Sequence, residues 1–205
     1  MISILNKNNK LDEGKNSLNI TYLRTVNIIF GHYPYPEVIH NFILDIKNNI
    51  DLNMNNFTNV KGGMTEWHHF LDNKNFKNLI NHIINKHQLT NPELFQYFLE
   101  KHIVSNAWGN EIKKGDSLNY HVHPCVHGIL YLTKGSNLIL PELNLKINPE
   151  PGDYYIFPPE ILHGFDSHQG DNNRYSLVFN IEDAHQDTRF NFLLKLKEKN
   201  ERKNS

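Results

Sequence analysis

Two histidines stand at a spacing that does chemistry. In Tyr120-His121-Val122-His123-Pro124 the imidazoles of His121 and His123 are two positions apart. On an extended strand such residues face the same way, about 6.6 Å apart along the chain, so both rings can reach one ion at about 2 Å. Surface or packed histidines give the same pair. A second segment, Gly152 to Phe157, Pro158-Pro159 and on to His163, reads as a turn, a strand, a proline-marked corner and a histidine. A jelly roll lays early and late strands side by side, so His163 could complete a facial set with His121 and His123. Three imidazoles suit Fe(II), Mn, Ni or Zn.

A third segment, Arg174-Tyr175-Ser176-Leu177-Val178-Phe179-Asn180, alternates as a strand and puts Arg174, Ser176, Val178 and Asn180 on one face. A guanidinium pointing inward is costly unless it meets an anion, and its planar fork matches a carboxylate. An internal Asp or Glu, or a place at the mouth of the barrel, would satisfy it too. Trp108, Asn106 and Asn110 alternate onto one face and either line a pocket or pack. Cys125, beside the HxHP turn, is a conceivable ligand. His68-His69, His82 and His87 fall among helical segments and read as solvated.

The elements that must position these residues fall into two halves. Tyr22 to Phe30 reads as a lead-in strand ended by Gly31, after a loose polar start over 1–17. Pro36 opens a helix with Val38, Ile39, Phe42, Ile43 and Ile46 at helical spacing, and Phe76, Leu79, Ile80, Ile83 and Ile84 stripe a second. Asn91-Pro92-Glu93 starts a third. After about residue 104 the period drops from about 3.6 to 2, and apolar runs follow at 104–112, 118–123, 127–133, 137–140, 143–147, 153–157 and 173–181. The expected fold is mainly β with an N-terminal helical layer: a double-stranded β-helix, or jelly roll, of cupin-like kind. One domain is expected, with residues 1–103 as helical support and lead-in strand, 104–182 as the jelly-roll core, and 183–205 as a short helix and charged tail.

Composition narrows the partners. The chain has 205 residues, 39% hydrophobic and 21% charged, which fits a folded domain rather than a disordered one. Lys+Arg 21 against Asp+Glu 22 leaves a net charge of -1, without the basic excess of a nucleic-acid-binding domain. The single cysteine excludes an intramolecular disulfide and suits a reducing compartment. No apolar run approaches the roughly 18 residues of a membrane span, and the first residues lack a signal-peptide core. The expected address is the cytoplasm, or a host's cytoplasm for a phage-encoded chain.

The combination becomes specific when read together. Gly115-x5-His121-x-His123-x3-His127 with Gly152-x5-Pro158-x4-His163 resembles the two cupin motifs, with His127 in place of the first motif's Glu. The pattern His-x-(Asp/Glu), a later His and Arg-x-Ser is similar to the signature of Fe(II)/2-oxoglutarate-dependent oxygenases. The stretch Trp108-Gly-Asn110, Lys114-Gly115-Asp116, Asn119 to Pro124 and His127 to Leu132 resembles the prolyl-hydroxylase-like members found in marine bacteria and their phages, over about residues 104–181, with a weaker match at Gly62-Gly63-Met64-Thr65. The resemblance implies Fe(II) on His121, His123 and His163, and 2-oxoglutarate held by Arg174, Ser176 and Tyr131. It further implies O2-dependent hydroxylation of a small-molecule or peptide substrate, with release of succinate and CO2. Trp108, Asn110 and His127 are candidate substrate contacts, and His127 a conceivable extra ligand. Two departures stand out: His123 replaces the usual carboxylate, and His127 replaces the family's Ser. Two rivals remain, a three-His cupin dioxygenase that needs no 2-oxoglutarate and a jelly roll with no turnover. Exposed strand edges leave room for a homodimer.

Overall fold

Strand alternation carries the C-terminal half into two facing antiparallel sheets. A computed structural model describes residues 2–3, 25–51, 54, 61–90, 92, 102–159 and 161–183. In chain order the strands are β1 (Ile2–Ser3), β2 (Thr25–Val26), β3 (Ile29–His32), β4 (Gly63–Met64), β5 (His102–Ile112), β6 (Leu118–His121), β7 (Val126–Tyr131), β8 (Leu138–Leu140), β9 (Leu145–Ile147), β10 (Asp153–Phe157), β11 (His163–Phe165) and β12 (Arg174–Asp183). The helices are α1 (Pro36–Asn48) and α2 (Lys74–Thr90). The larger sheet runs β3-β10-β7-β12-β5-β4 and the smaller β6-β11-β8-β9. From β5 to β12 the chain passes repeatedly from one sheet to the other, which is the winding of a double-stranded β-helix.

Every strand run expected after residue 104 holds a strand. The addition is β11, where a corner was expected. On the N-terminal side, the single lead-in strand is broken into β2 and β3, and Gly31 does not end it. β3 continues to His32 because it pairs with β10, with Gly31 opposite Tyr154. The Tyr154 ring occupies the space where a Cβ at position 31 would stand, so the residue there must be glycine. Ile2–Ser3, expected to be loose, pairs with Thr25–Val26. Of the helix expected from Asn91-Pro92-Glu93 only Pro92 is described, and the short helix expected within 183–205 falls on residues outside the described ones.

One face of the larger sheet is covered by the helices. Ile39, Phe42 and Ile46 of α1 and Phe76, Leu79 and Ile83 of α2 share a core with Leu130, Tyr154, Ile156, Leu177 and Phe179. Gly109 lets α1 press against β5, since a Cβ there would collide with Ile46. Asn73 caps α2 by accepting from the N–H groups of Asn75 (2.9 Å) and Phe76 (3.2 Å). The same Asn73 amide donates to Asp45 of α1, which also accepts from His69 at 2.8 Å. His69 is therefore a structural tie rather than a solvated residue. His87 is buried too: it extends the α2 stripe and bonds the Tyr154 hydroxyl at 2.8 Å. Its neighbour His82 is half-buried, edge-on to Tyr33, while His68 is exposed. The other face of the larger sheet looks toward the smaller one, and the site lies between them. No helix among the described residues is long and apolar enough to cross a membrane.

Candidate metal centre and anion pocket

Pairing of β6 with β11 sets His121 directly opposite His163. His123 follows just beyond the end of β6. The ligand atoms of the three rings lie within 4.8 Å of one another, and the Nε2 atoms of His121 and His123 are 3.0 Å apart. Backbone carbonyls orient two of them. His121 Nδ1–H donates to the Asn119 carbonyl and His163 Nδ1–H to the Ile161 carbonyl, both at 2.9 Å. A carbonyl only accepts, so the proton sits on Nδ1 and the Nε2 lone pair is left for an ion.

His123 is held differently. Its ring lies face to face on His127, 3.7 Å between centroids and 18° between planes. His127 is fixed in turn by Asn180, Nδ1 to Oδ1 at 3.1 Å. Burial keeps all these rings neutral. It pushes His123 down to about 3, helped by repulsion from His163 and His121, and His163 down to about 4. His121 is lowered by burial as well, and His127 falls well below the ordinary range, burial first and His123 second. Metal-binding imidazoles must be neutral, so three Nε2 lone pairs converging on one point fit a divalent first-row ion. Among the described residues the convergent set is His121, His123 and His163. His127 and Cys125 are not members of this set.

The opposite wall is the inner face of β12, between β7 and β5. Ser176 faces Tyr131 on one side and Asn110 on the other, Val178 faces Ile129 and Trp108, and Asn180 faces His127 and Asn106. Arg174 is only 2% exposed. Its guanidinium lies over the rings of Tyr131 (4.9 Å) and Phe165 (4.5 Å). Its Nε has no hydrogen-bond partner, and no carboxylate of the described residues pairs with it. Burial lowers its pKa, with Tyr131 acting against that, but a guanidinium keeps its charge. Burial raises the Tyr131 phenol to about 12, against the pull of Arg174, so it stays a neutral donor.

A cavity of about 120 Å³ joins the two walls, with the three histidines at one side and Arg174, Ser176 and Tyr131 at the other. Trp108, Asn110 and His127 line it as well; Asn106 does not, and accepts instead from Ser105. Sequence reasoning missed Trp67, which packs on Trp108 with ring centroids 4.6 Å apart. The signal was the Gly62-Gly63-Met64-Thr65 segment just before it. Thr65 is buried and bonds Gly109 in both directions, at 2.9 and 3.0 Å, which brings the following Trp67 to the cavity.

No protein-family model matches this chain, and no curated protein matches it in sequence. Solved structures do match in fold. HygX from Streptomyces hygroscopicus, with nickel and 2-oxoglutarate bound, aligns at TM-score 0.57 and 11% identity over 78% of this chain and 84% of its own. A Pseudomonas putida prolyl-4-hydroxylase aligns at 0.56 and 13%, over 77% and 93%. The viral collagen prolyl hydroxylase of Paramecium Bursaria Chlorella virus-1, in complex with 2-oxoglutarate, aligns at 0.54 and 13%, over 77% and 96%. The chain thus has the double-stranded β-helix fold that these proteins share.

Proposed function

We propose that this protein is an Fe(II)- and 2-oxoglutarate-dependent oxygenase that hydroxylates its substrate. The observation that carries the reading is Arg174: a buried cation without a carboxylate partner, in the same cavity as three converging neutral imidazoles. A buried unpaired charge is costly, and an anionic ligand relieves it. Arg174, Ser176 and the Tyr131 phenol would hold the far carboxylate of 2-oxoglutarate. His121, His123 and His163 would hold the metal, with the keto-acid end between the two walls. Fe(II) and 2-oxoglutarate together supply the chemistry of O2-dependent oxygen insertion into a C–H bond, with succinate and CO2 as co-products. Phe157 and Phe165 add apolar surface that excludes water around these polar groups.

The all-imidazole set also favours a second reading, a cupin-type dioxygenase without 2-oxoglutarate. Anaerobic calorimetry on the metal-loaded protein separates them. The proposal expects 2-oxoglutarate to bind, succinate to bind more weakly for lack of its chelating end, and Arg174→Ala to lose roughly 2–5 kcal/mol of 2-oxoglutarate affinity with the metal retained. Absence of 2-oxoglutarate binding to the wild type selects the cupin reading. Oxygen consumption that depends on 2-oxoglutarate separates both from a jelly roll without turnover.

A further inference from the structure

Beyond the groups assigned to metal and cosubstrate, the lining of the cavity has an unusual charge balance. Among the described residues, Arg174 is the one formally charged side chain that lines it. No Asp, Glu or Lys of the described residues reaches the surface of the cavity. Beyond the two polar walls the lining is apolar and includes Trp67, Trp108, Ile129 and Val178, which belong to one cluster. The polar exception is Asn110, which is 6% exposed and whose Oδ1 has no hydrogen-bond partner.

We propose that the substrate group entering this site is uncharged and apolar, with Trp67 and Trp108 as its platform and the Asn110 amide as the contact that fixes its orientation. The proposal rests on the oxygenase reading only in assigning Arg174 to the cosubstrate. Once Arg174 is paired, a cationic substrate finds no counter-charge and faces a metal held by three neutral ligands. An anionic substrate could settle only on the metal itself, where it would compete with oxygen. Either charge would be desolvated without compensation. A neutral group faces neither cost. Its apolar face gains burial against two indoles, and a donor at its edge satisfies the Asn110 Oδ1, which otherwise has no partner.

The chain contains two tryptophans, and both line the cavity. Their fluorescence therefore reports occupancy directly. Zn(II)-loaded full-length protein with saturating 2-oxoglutarate is titrated with N-acetyl-leucinamide, and separately with N-acetyl-lysinamide, N-acetyl-glutamic acid α-amide and free leucine. The expected result is a saturable fluorescence change with the neutral amide and at least tenfold weaker binding of the three charged probes. Asn110→Leu should weaken the neutral amide at least fivefold while its 2-oxoglutarate affinity, read by calorimetry, stays within twofold of wild type. A charged probe that binds as well as the neutral one overturns the proposal. So does the absence of a saturable change with the neutral amide, or an Asn110→Leu variant that loses 2-oxoglutarate instead. Neutral-probe binding in a protein that does not take up 2-oxoglutarate would leave the subsite standing and remove the oxygenase reading alone.

Discussion

His123 has a ring face where its two fellow histidines have a carbonyl. His121 and His163 are each locked by an Nδ1–H bond to backbone, whereas His123 rests on His127, which Asn180 anchors. Removal of a group that orients a ligand typically costs 10–100-fold in metal affinity. His127→Ala should therefore weaken Co(II) binding by roughly that factor, whereas His127→Phe, which keeps a flat ring, should stay within about threefold of wild type. Titration of the Co(II) absorption bands checks this; equal losses in both variants would mean that the imidazole itself is required. At this scale the HxH pair was legible because strand geometry is local. The stack was not, because His127 reaches His123 only through the packing of one sheet on the other.

Elements were legible where alternation ran long enough. β5 and β12 announce themselves over ten or more residues, while β11 has three, His163-Gly164-Phe165, too few to show a period. Its strand character comes from pairing with β6 and β8, which sequence alone does not display. Gly31 misled for a related reason: glycine commonly ends a strand, but here it makes room for a tyrosine ring on the neighbouring one. His87 looked solvated by type, yet its position four residues after Ile83 on the α2 stripe was the better guide. Gly109 offers a direct test of helix-on-sheet packing. Gly109→Val should cost roughly 1–3 kcal/mol of unfolding free energy by forcing Ile46 and α1 outward, measured by urea denaturation. Because Gly109 lies between Trp108 and Asn110, the same variant should also disturb the tryptophan emission.

Across the whole molecule, buried neutral histidines couple folding to pH. In the unfolded chain they take up protons near the ordinary value of 6.5, but in the folded protein His163 does so only at about 4 and His123 at about 3. His127 and His87 are lowered in the same direction. Between those values the unfolded state binds more protons, so stability rises with pH. The metal-free protein should keep its full stability above about pH 6.5 and lose it progressively as the pH falls toward 4. Chemical denaturation of the metal-free protein at pH 7.5 and pH 5 checks this, and equal midpoints would contradict it. A divalent ion, which binds only the neutral rings of the folded state, should raise the melting temperature at pH 7.5 and lose that effect as the pH falls toward 4, where His163 takes up its proton.

The register of His121 against His163 also has a consequence in time. Neither strand carries enough ligands alone: β6 and its extension bring two, β11 the third, and β7 to β10 lie between them in the chain. The two ends meet only after those intervening strands have found their places in both sheets, a closure that is slow because its contacts are distant in sequence. Capture of the ion is therefore a clock for the last stage of folding. In a stopped-flow refolding experiment with Co(II) present, the absorption of the three-histidine complex should grow in with the slowest phase, after most of the β-sheet circular dichroism has returned.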